Sequence, residues 1–433
     1  MSQVGRRAFV AGAAGVVAAL TAAGDAVASS GAAARGADSA RGSARGHGSG
    51  HGHGHGHGKG HGHGHGSVAR ELRGMWIATV ANLDWPSAPG RPTAEQRAQL
   101  IAYLDRAVEL RLNAVVLQVR PTADALWPSP YEPWAQCLTG VQGQDPGWDP
   151  LGTAVSEAHR RDLELHAWFN PYRVANHTDP SRLIATHPAR LHPDWVLPYG
   201  GKLYYNPGLP EVRRFVQDAM LDAVRRYDID AVHWDDYFYP YPVAGQVFGD
   251  DAAYARYGAG FPDRAAWRRD NTDRLVRETA ELIRSVKPDV RFGISPFGVW
   301  RNVASDPLGS DTRAGVETYD DLYADTRKWI KEGWIDYICP QVYFKAQRSG
   351  QAVSYSLLVP WWAETVRGTG VDLYIGEALY KINTEDWPAA ELTEHLDIAA
   401  QYPEVAGHVF FSAKVVQEDP KGAMTAISGR WVR

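Results

Sequence analysis

From Val68 onward, short runs rich in β-branched and aromatic residues alternate with longer stretches whose apolar side chains recur at helical spacing. Eight runs read as strands: Gly74–Val80, Ala114–Val119, Leu163–Phe169, Ile229–Trp234, Val290–Ser295, Ile335–Cys339, Val371–Gly376 and Val405–Phe411. Between them Leu100, Leu104, Val108 and Leu112 fall on one helical face, Val212, Val216 and Met220 on another, and Leu275, Leu282 and Val286 on a third. Thr93 with Gln96 reads as a capping box, and Pro210 has the fixed φ that suits a first helical turn. Strands alternating with helices pair in parallel through right-handed crossovers, and eight such units close most naturally into a ring. The expected fold is α/β, a (β/α)8 TIM barrel over residues 69–433. An open doubly wound sheet is the alternative, but Arg73-Gly74-Met75-Trp76 lacks the Gly-x-Gly-x-x-Gly turn that such a sheet uses for phosphate.

The front of the chain has a different character. Gly5-Arg6-Arg7-Ala8-Phe9-Val10, an apolar run to Leu20 and Ala26-Val27-Ala28 before Ser29 read as a twin-arginine-type export signal over residues 1–28. The apolar run is shorter than the roughly 20 residues that cross a bilayer, so a secreted protein without a membrane span after processing is expected. Residues 29–68 form an Ala/Gly/His-rich stretch expected to be a disordered linker, and eight of the 16 histidines lie there in a His-Gly repeat. Alternating glycine gives those imidazoles no fixed geometry, which favours a tether over a metal site; no metal or other cofactor is expected.

Residues 1–66 hold six basic side chains against Asp25 and Asp38, so without them the formal charge moves from -5 to -9. An acidic body gains nothing from counterion release, which sets nucleic acid aside as a partner. Cys137 and Cys339 are the only thiols, too few for a disulfide framework.

Polar and aromatic residues follow most of the strands: Gln118-Val119-Arg120-Pro121, Trp168-Phe169-Asn170-Pro171, Trp234-Asp235-Asp236-Tyr237, Ser295-Pro296, Pro340-Gln341-Val342-Tyr343 and Glu377-Ala378-Leu379-Tyr380. In a barrel those ends share one rim, and such a rim is costly to desolvate unless it binds something. Alternation puts His233 and Asp235 on one face of their strand. Hydrolysis of a glycosidic bond needs one protonated and one ionised carboxyl. Asp235 is the first candidate. Glu377, at the end of the seventh strand, and Asp236, whose proximity to Asp235 would raise a pKa, are the alternatives for the second. A salt bridge to Lys381 is the competing reading of Glu377. Trp76, Trp168, Trp234, Tyr343 and Tyr380 offer flat faces for sugar rings, although core packing explains such rings equally well. Arg120 and Arg173 present planar forks suited to a carboxylate such as the lactyl group of muramic acid, with structural pairing to Asp124 or Asp179 as the competing reading.

The segment Glu71-Leu72-Arg73-Gly74-Met75-Trp76-Ile77-Ala78-Thr79-Val80-Ala81-Asn82-Leu83-Asp84-Trp85-Pro86 resembles the opening of the glycosyl hydrolase-like 10 barrel family. Asp230-Ala231-Val232-His233-Trp234-Asp235-Asp236-Tyr237-Phe238-Tyr239-Pro240 is similar to its fourth-strand motif, and the Gln118, Trp168 and Ser295 segments also fit, covering about residues 69–400. The resemblance implies a (β/α)8 barrel, a location outside the cytoplasm and hydrolysis of glycosidic bonds, with bacterial cell-wall glycan as substrate class and Asp235 as the strand-four acid. On this reading Asp235 is nucleophile or base, Glu377 or Asp236 gives the proton, and Trp76, Arg120, Asn170, Arg173, His233, Tyr237, Ser295, Gln341, Tyr343 and Tyr380 position a polysaccharide. A barrel that binds glycan without cleaving it is the rival expectation.

Overall fold

A computed structural model of the protein describes residues 71–346 and 351–431. The export signal and linker expected over 1–28 and 29–68 lie outside the described residues. Eleven strands occur in chain order: β1 Leu72–Ile77, β2 Ala114–Arg120, β3 Glu164–Phe169, β4 Arg173–Ala175, β5 Val196–Tyr199, β6 Lys202–Tyr205, β7 Ala231–Trp234, β8 Arg291–Ile294, β9 Tyr337–Ile338, β10 Asp372–Glu377 and β11 Val405–Phe410. Eight of them close a parallel barrel in the order β1-β2-β3-β7-β8-β9-β10-β11, returning to β1, and all eight fall within the expected runs to within a few residues. The other three form an antiparallel sheet, β4-β6-β5, set in the connection between β3 and β7. That insertion matters because β4 begins with Arg173 and brings it to the rim.

Two apolar clusters show which face of each strand looks inward. Leu72, Trp76, Ala78, Ala114, Val116, Trp168, Ala231, Tyr337, Cys339, Tyr374 and Val409 pack together inside the ring. Their neighbours in sequence, such as Ile77, Val115, Phe169, Val232, Ile338, Leu373 and Ile375, join the larger cluster between the barrel wall and the helices. The interior is crowded by large rings, and Gly293 on β8 makes room for one of them: a Cβ there would lie 2.1 Å from the Tyr337 ring.

Two local expectations fail for identifiable reasons. The helix Thr93–Glu109 begins after Pro92 without a side-chain cap, because the Gln96 amide donates instead to the carbonyls of Arg91 and Leu138 at 2.7 and 2.9 Å. On the same helix Val108 is 46% exposed, and Ala107 takes the buried position beside Leu104. Pro210 opens the helix Pro210–Arg226 as expected.

Arg120 is the clearest departure among the polar residues. It is fully buried, and its fork grips both oxygens of Glu132, Nε to Oε2 at 2.6 Å and Nη2 to Oε1 at 2.5 Å. Its Nη1 donates to the carbonyls of Asn170 and Pro171. Arg120 therefore ties the loop after β2 to the loop after β3 and has no side left for a ligand carboxylate. Its partner is Glu132, not Asp124. Because removing one member of a buried pair leaves the other charge uncompensated, Arg120→Ala should cost about 3–5 kcal/mol. A urea unfolding curve checks this; a loss under about 1 kcal/mol would mean that the clamp does little.

Candidate active site

The inward alternation of β7 runs Ala231, His233, Asp235, so Asp235 emerges at the floor of the mouth. Its carboxyl accepts from Trp168 Nε1 at 3.1 Å, from Asn170 Nδ2 at 3.0 and 3.2 Å, and from the Tyr237 backbone N–H at 3.2 Å. Asn170 is itself held, its Oδ1 accepting from the Arg173 N–H at 2.9 Å. Burial raises the Asp235 pKa above the usual carboxylate range, and the Arg173 charge and these donors offset that rise only in part. Asp236 begins the loop. It accepts from the Tyr241 hydroxyl, and Gln341 also acts on it as a donor, but burial and the adjacent Asp235 charge push its pKa up to about 7. The two acids thus share an environment that resists a second negative charge.

Rings surround this pair in two arcs. Tyr237, Tyr241, Phe297 and Phe344 follow one another edge to face, with centroids 5.7, 6.4 and 6.2 Å apart. In a second group, Tyr343, Tyr380 and Phe411 contact one another with centroids 5.8 to 6.4 Å apart. Tyr237, Tyr343 and Tyr380 lie where they were expected. Tyr241, Phe297, Phe344 and Phe411 were missed as site residues, although Phe297 stands beside the Ser295-Pro296 segment and Phe411 ends the eighth expected strand. Gln341 reaches across the floor, its Nε2 donating to the Ser295 carbonyl at 2.9 Å.

Several expected substrate contacts lie beneath that floor. Trp76 is 2% exposed and donates from Nε1 to His233 Nε2 at 3.1 Å. His233 is 1% exposed; its Nδ1 is 2.9 Å from the Tyr337 hydroxyl, and its Nε2 is also 2.9 Å from Ser295 Oγ. Burial drives the His233 pKa well below the usual imidazole range, so the ring is neutral. Trp76, His233 and Ser295 therefore build the support of the site rather than touching a sugar. Arg173 stays near the acids, but Nε and Nη2 both donate to the Pro121 carbonyl at 3.2 Å and the guanidinium packs over the Tyr237 ring. It acts on Asp235 through its charge.

Glu377 corrects the expected proton donor. On β10 it is Tyr374 that packs inside the ring, while Leu373 and Ile375 pack outward, so Glu377 also points outward, towards the helices. It is fully buried and accepts from the Tyr355 hydroxyl at 2.8 Å, His395 Nδ1 at 2.8 Å and His408 Nδ1 at 2.9 Å. Despite burial, the two histidines hold its pKa down at about 2, the reverse of what a proton donor needs. The suggested bridge to Lys381 is absent too; Lys381 pairs with Glu385 at 3.0 Å. Among the described residues no group of three or more His, Cys, Asp or Glu side chains could hold a metal ion.

Residues 71–390 match the family described as glycosyl hydrolase-like 10. This chain belongs to that family. Glycosyl hydrolase YngK of Bacillus subtilis is 51% identical over 365 residues, 83% of this chain and 71% of the relative. Glycosyl hydrolase DigH of Escherichia coli K12 is 40% identical over 389 residues, 84% of this chain and 88% of the relative. Among solved structures, the PgaB (BpsB) glycoside hydrolase domain from Bordetella bronchiseptica aligns with a TM-score of 0.53 at 11% identity, over 83% of this chain and 98% of that one, a likeness of fold alone. As a glycosyl hydrolase-like 10 protein, the chain is a glycoside hydrolase whose substrate is a polysaccharide.

The opposed shifts of Glu377 and Asp236 predict opposite pH effects on stability. Glu377, depressed to about 2, stabilises the fold above the ordinary glutamate pKa and loses that contribution as pH falls towards 2. Asp236, raised to about 7, favours the fold below the ordinary aspartate pKa and loses that contribution as pH rises through 7. Glu377→Gln should therefore lower the melting temperature at pH 7 with a smaller penalty near pH 2–3, whereas Asp236→Asn should raise it at pH 8 and leave it nearly unchanged at pH 4. Melting curves at these pH values would refute the assignment if both variants moved in the same direction at pH 8.

Proposed function

We propose that this protein is exported and cleaves the glycan strands of the bacterial cell wall, with Asp236 giving the proton and Asp235 remaining ionised. The observation that supports it best is the adjacent acid pair at the end of β7, one acid raised to about 7 and the other held by three donors, inside a mouth lined with aromatic rings. A proton donor works best when its pKa lies near the working pH, which suits Asp236 to departure of the leaving oxygen. Trp168, Asn170 and the Tyr237 amide favour the charged form of Asp235, which suits it to stabilising the positive charge that develops on the sugar. Tyr237, Tyr343 and Tyr380 are suited to packing against the C–H faces of sugar rings. The arginine pair and small-residue motif at the front of the sequence support export, and an exported hydrolase meets wall glycan directly.

The test is release of new reducing ends from purified cell-wall glycan strands. The wild-type kcat/KM should fall as pH rises through about 7, because Asp236 must be protonated to act. Asp236→Asn should lose about 100- to 10,000-fold in rate together with that alkaline limb. Glycan retained by the protein without any new reducing end would reverse the conclusion and leave a binding barrel.

A further inference from the structure

Among the buried carboxyls of the described residues, Asp235 and Asp236 form one acidic wall at the mouth. Six other buried carboxyls lie on carboxyl-end loops or strand ends among the described residues, and each is bound by the protein itself. Asp84 accepts from Ser412 Oγ and from the Ala78 and Lys414 amides; Asp124 accepts from the Thr122 amide. Glu132 is gripped by Arg120, Asp250 by Arg268, Glu317 by Asn302 and Ser305, and Glu377 by Tyr355 and two histidines. Of the residues between 346 and 351, Gln347, Arg348, Ser349 and Gly350, none is acidic. Among the buried carboxyls of the described residues, Asp235 and Asp236 are the adjacent pair that stands at the end of β7 among the aromatic rings.

Two enzyme carboxyls acting from opposite sides of the sugar are the usual requirement, one at the leaving oxygen and one at the far face of C1. Consecutive residues have Cα atoms about 3.8 Å apart and rise from one strand end, so they approach the sugar from one side. Asp235 is also a poor attacking group. A carboxylate offers about four lone-pair sites, and Asp235 directs them to three donor groups, Trp168, the Tyr237 amide and an Asn170 Nδ2 shared between both oxygens at 3.0 and 3.2 Å. What remains suits acceptance of one more N–H rather than bond formation to carbon.

We propose that the nucleophile is supplied by the substrate: the 2-acetamido group of an N-acetylhexosamine, oriented by Asp235 through its N–H, while Asp236 serves the leaving oxygen. This rests on the hydrolase reading and assigns the role that reading leaves to Asp235. The acetamido carbonyl oxygen forms a bond to C1 as the C1–O glycosidic bond breaks. The electron pair of that bond leaves on the departing oxygen, which takes the proton of Asp236. The resulting oxazolinium ring keeps its N–H on the Asp235 carboxylate, which offsets its positive charge. Water then adds to C1 and gives a proton to Asp236, and the C1–O bond of the five-membered ring opens, returning its electron pair to the acetamide. Two displacements at C1 leave the anomeric configuration unchanged.

The experiment uses the full chain and purified cell-wall glycan strands in three forms: native, chemically de-N-acetylated, and re-acylated with acetyl or fluoroacetyl groups. The expected result is at least a 100-fold loss of kcat on de-N-acetylation, full recovery with acetyl, and slower turnover with fluoroacetyl, whose carbonyl oxygen is a weaker nucleophile of nearly the same size. Early-time NMR should show the new reducing end with the configuration of the cleaved bond. Asp235→Asn should lower kcat but keep the alkaline limb that Asp236→Asn removes, a split that simple loss of structure would not produce. Equal kcat on de-N-acetylated strands, or an inverted product, would overturn this inference and leave the hydrolase reading standing. Failure to cleave any of the strands would overturn both.

Discussion

The two-residue alternation of a strand, locked by closure of the ring, governs everything at the mouth of this barrel. A parallel barrel has no free edge along which a strand can slip, and a slip of one residue would exchange every inward side chain for an outward one. On β7 the inward series is Ala231, His233 and Asp235, with Val232 and Trp234 outside. On β10 it is Tyr374 and Gly376, which sends Glu377 out among the helices. Two acids at equivalent strand ends thus meet opposite fates. One faces the mouth, and the other becomes a buried anchor between His395, His408 and Tyr355.

Burial of charge is costly, and the protein handles it differently at the two places. At Glu377 each carboxylate oxygen receives a charge-assisted bond, so the ionised form is the stable one. At the mouth the compensation is incomplete. Asp235 has three donors and the nearby Arg173 charge, whereas Asp236 has Tyr241 and Gln341 but also the repulsion of Asp235. The difference leaves Asp236 able to hold a proton near neutrality beside an acid whose own upward shift is partly offset by its donors and by Arg173. Such an arrangement destabilises the fold locally, and a site that must move a proton depends on it.

The barrel was legible because its signal is repeated eight times; an error at one strand end does not disturb the count. The mouth was legible in part. Asp235 followed from its alternation with His233, but Glu377 was placed by its position at a strand end without the same test of face, and Tyr374 and Gly376 would have supplied that test. Arg120 looked like a ligand for carboxylates because its true partner, Glu132, lies in a loop with no periodicity to announce it. Likewise, Tyr241 and Phe344 reach the mouth from irregular segments. Loop geometry depends on turns and long-range hydrogen bonds that a single sequence does not encode as a pattern.

The interior beneath the acids is unusually polar for a barrel, where branched aliphatic side chains commonly fill the layers. Trp76 donates to His233 Nε2, which leaves the proton of that neutral ring on Nδ1, facing the Tyr337 hydroxyl. The Tyr337 hydroxyl can then donate to His166 Nδ1 at 3.0 Å, and His166 Nε2 lies 3.1 Å from Glu164 at the opposite end of the barrel. At the upper end, Ser295 lies against His233 through its hydroxyl and receives the Gln341 amide on its carbonyl. Each bond in this column fixes the direction of the next, so His233 needs no sugar contact to matter. It sets the floor on which Gln341 is held beside Asp236, and an imidazole that charged there would have to turn away from the Trp76 donor and break the column from the middle.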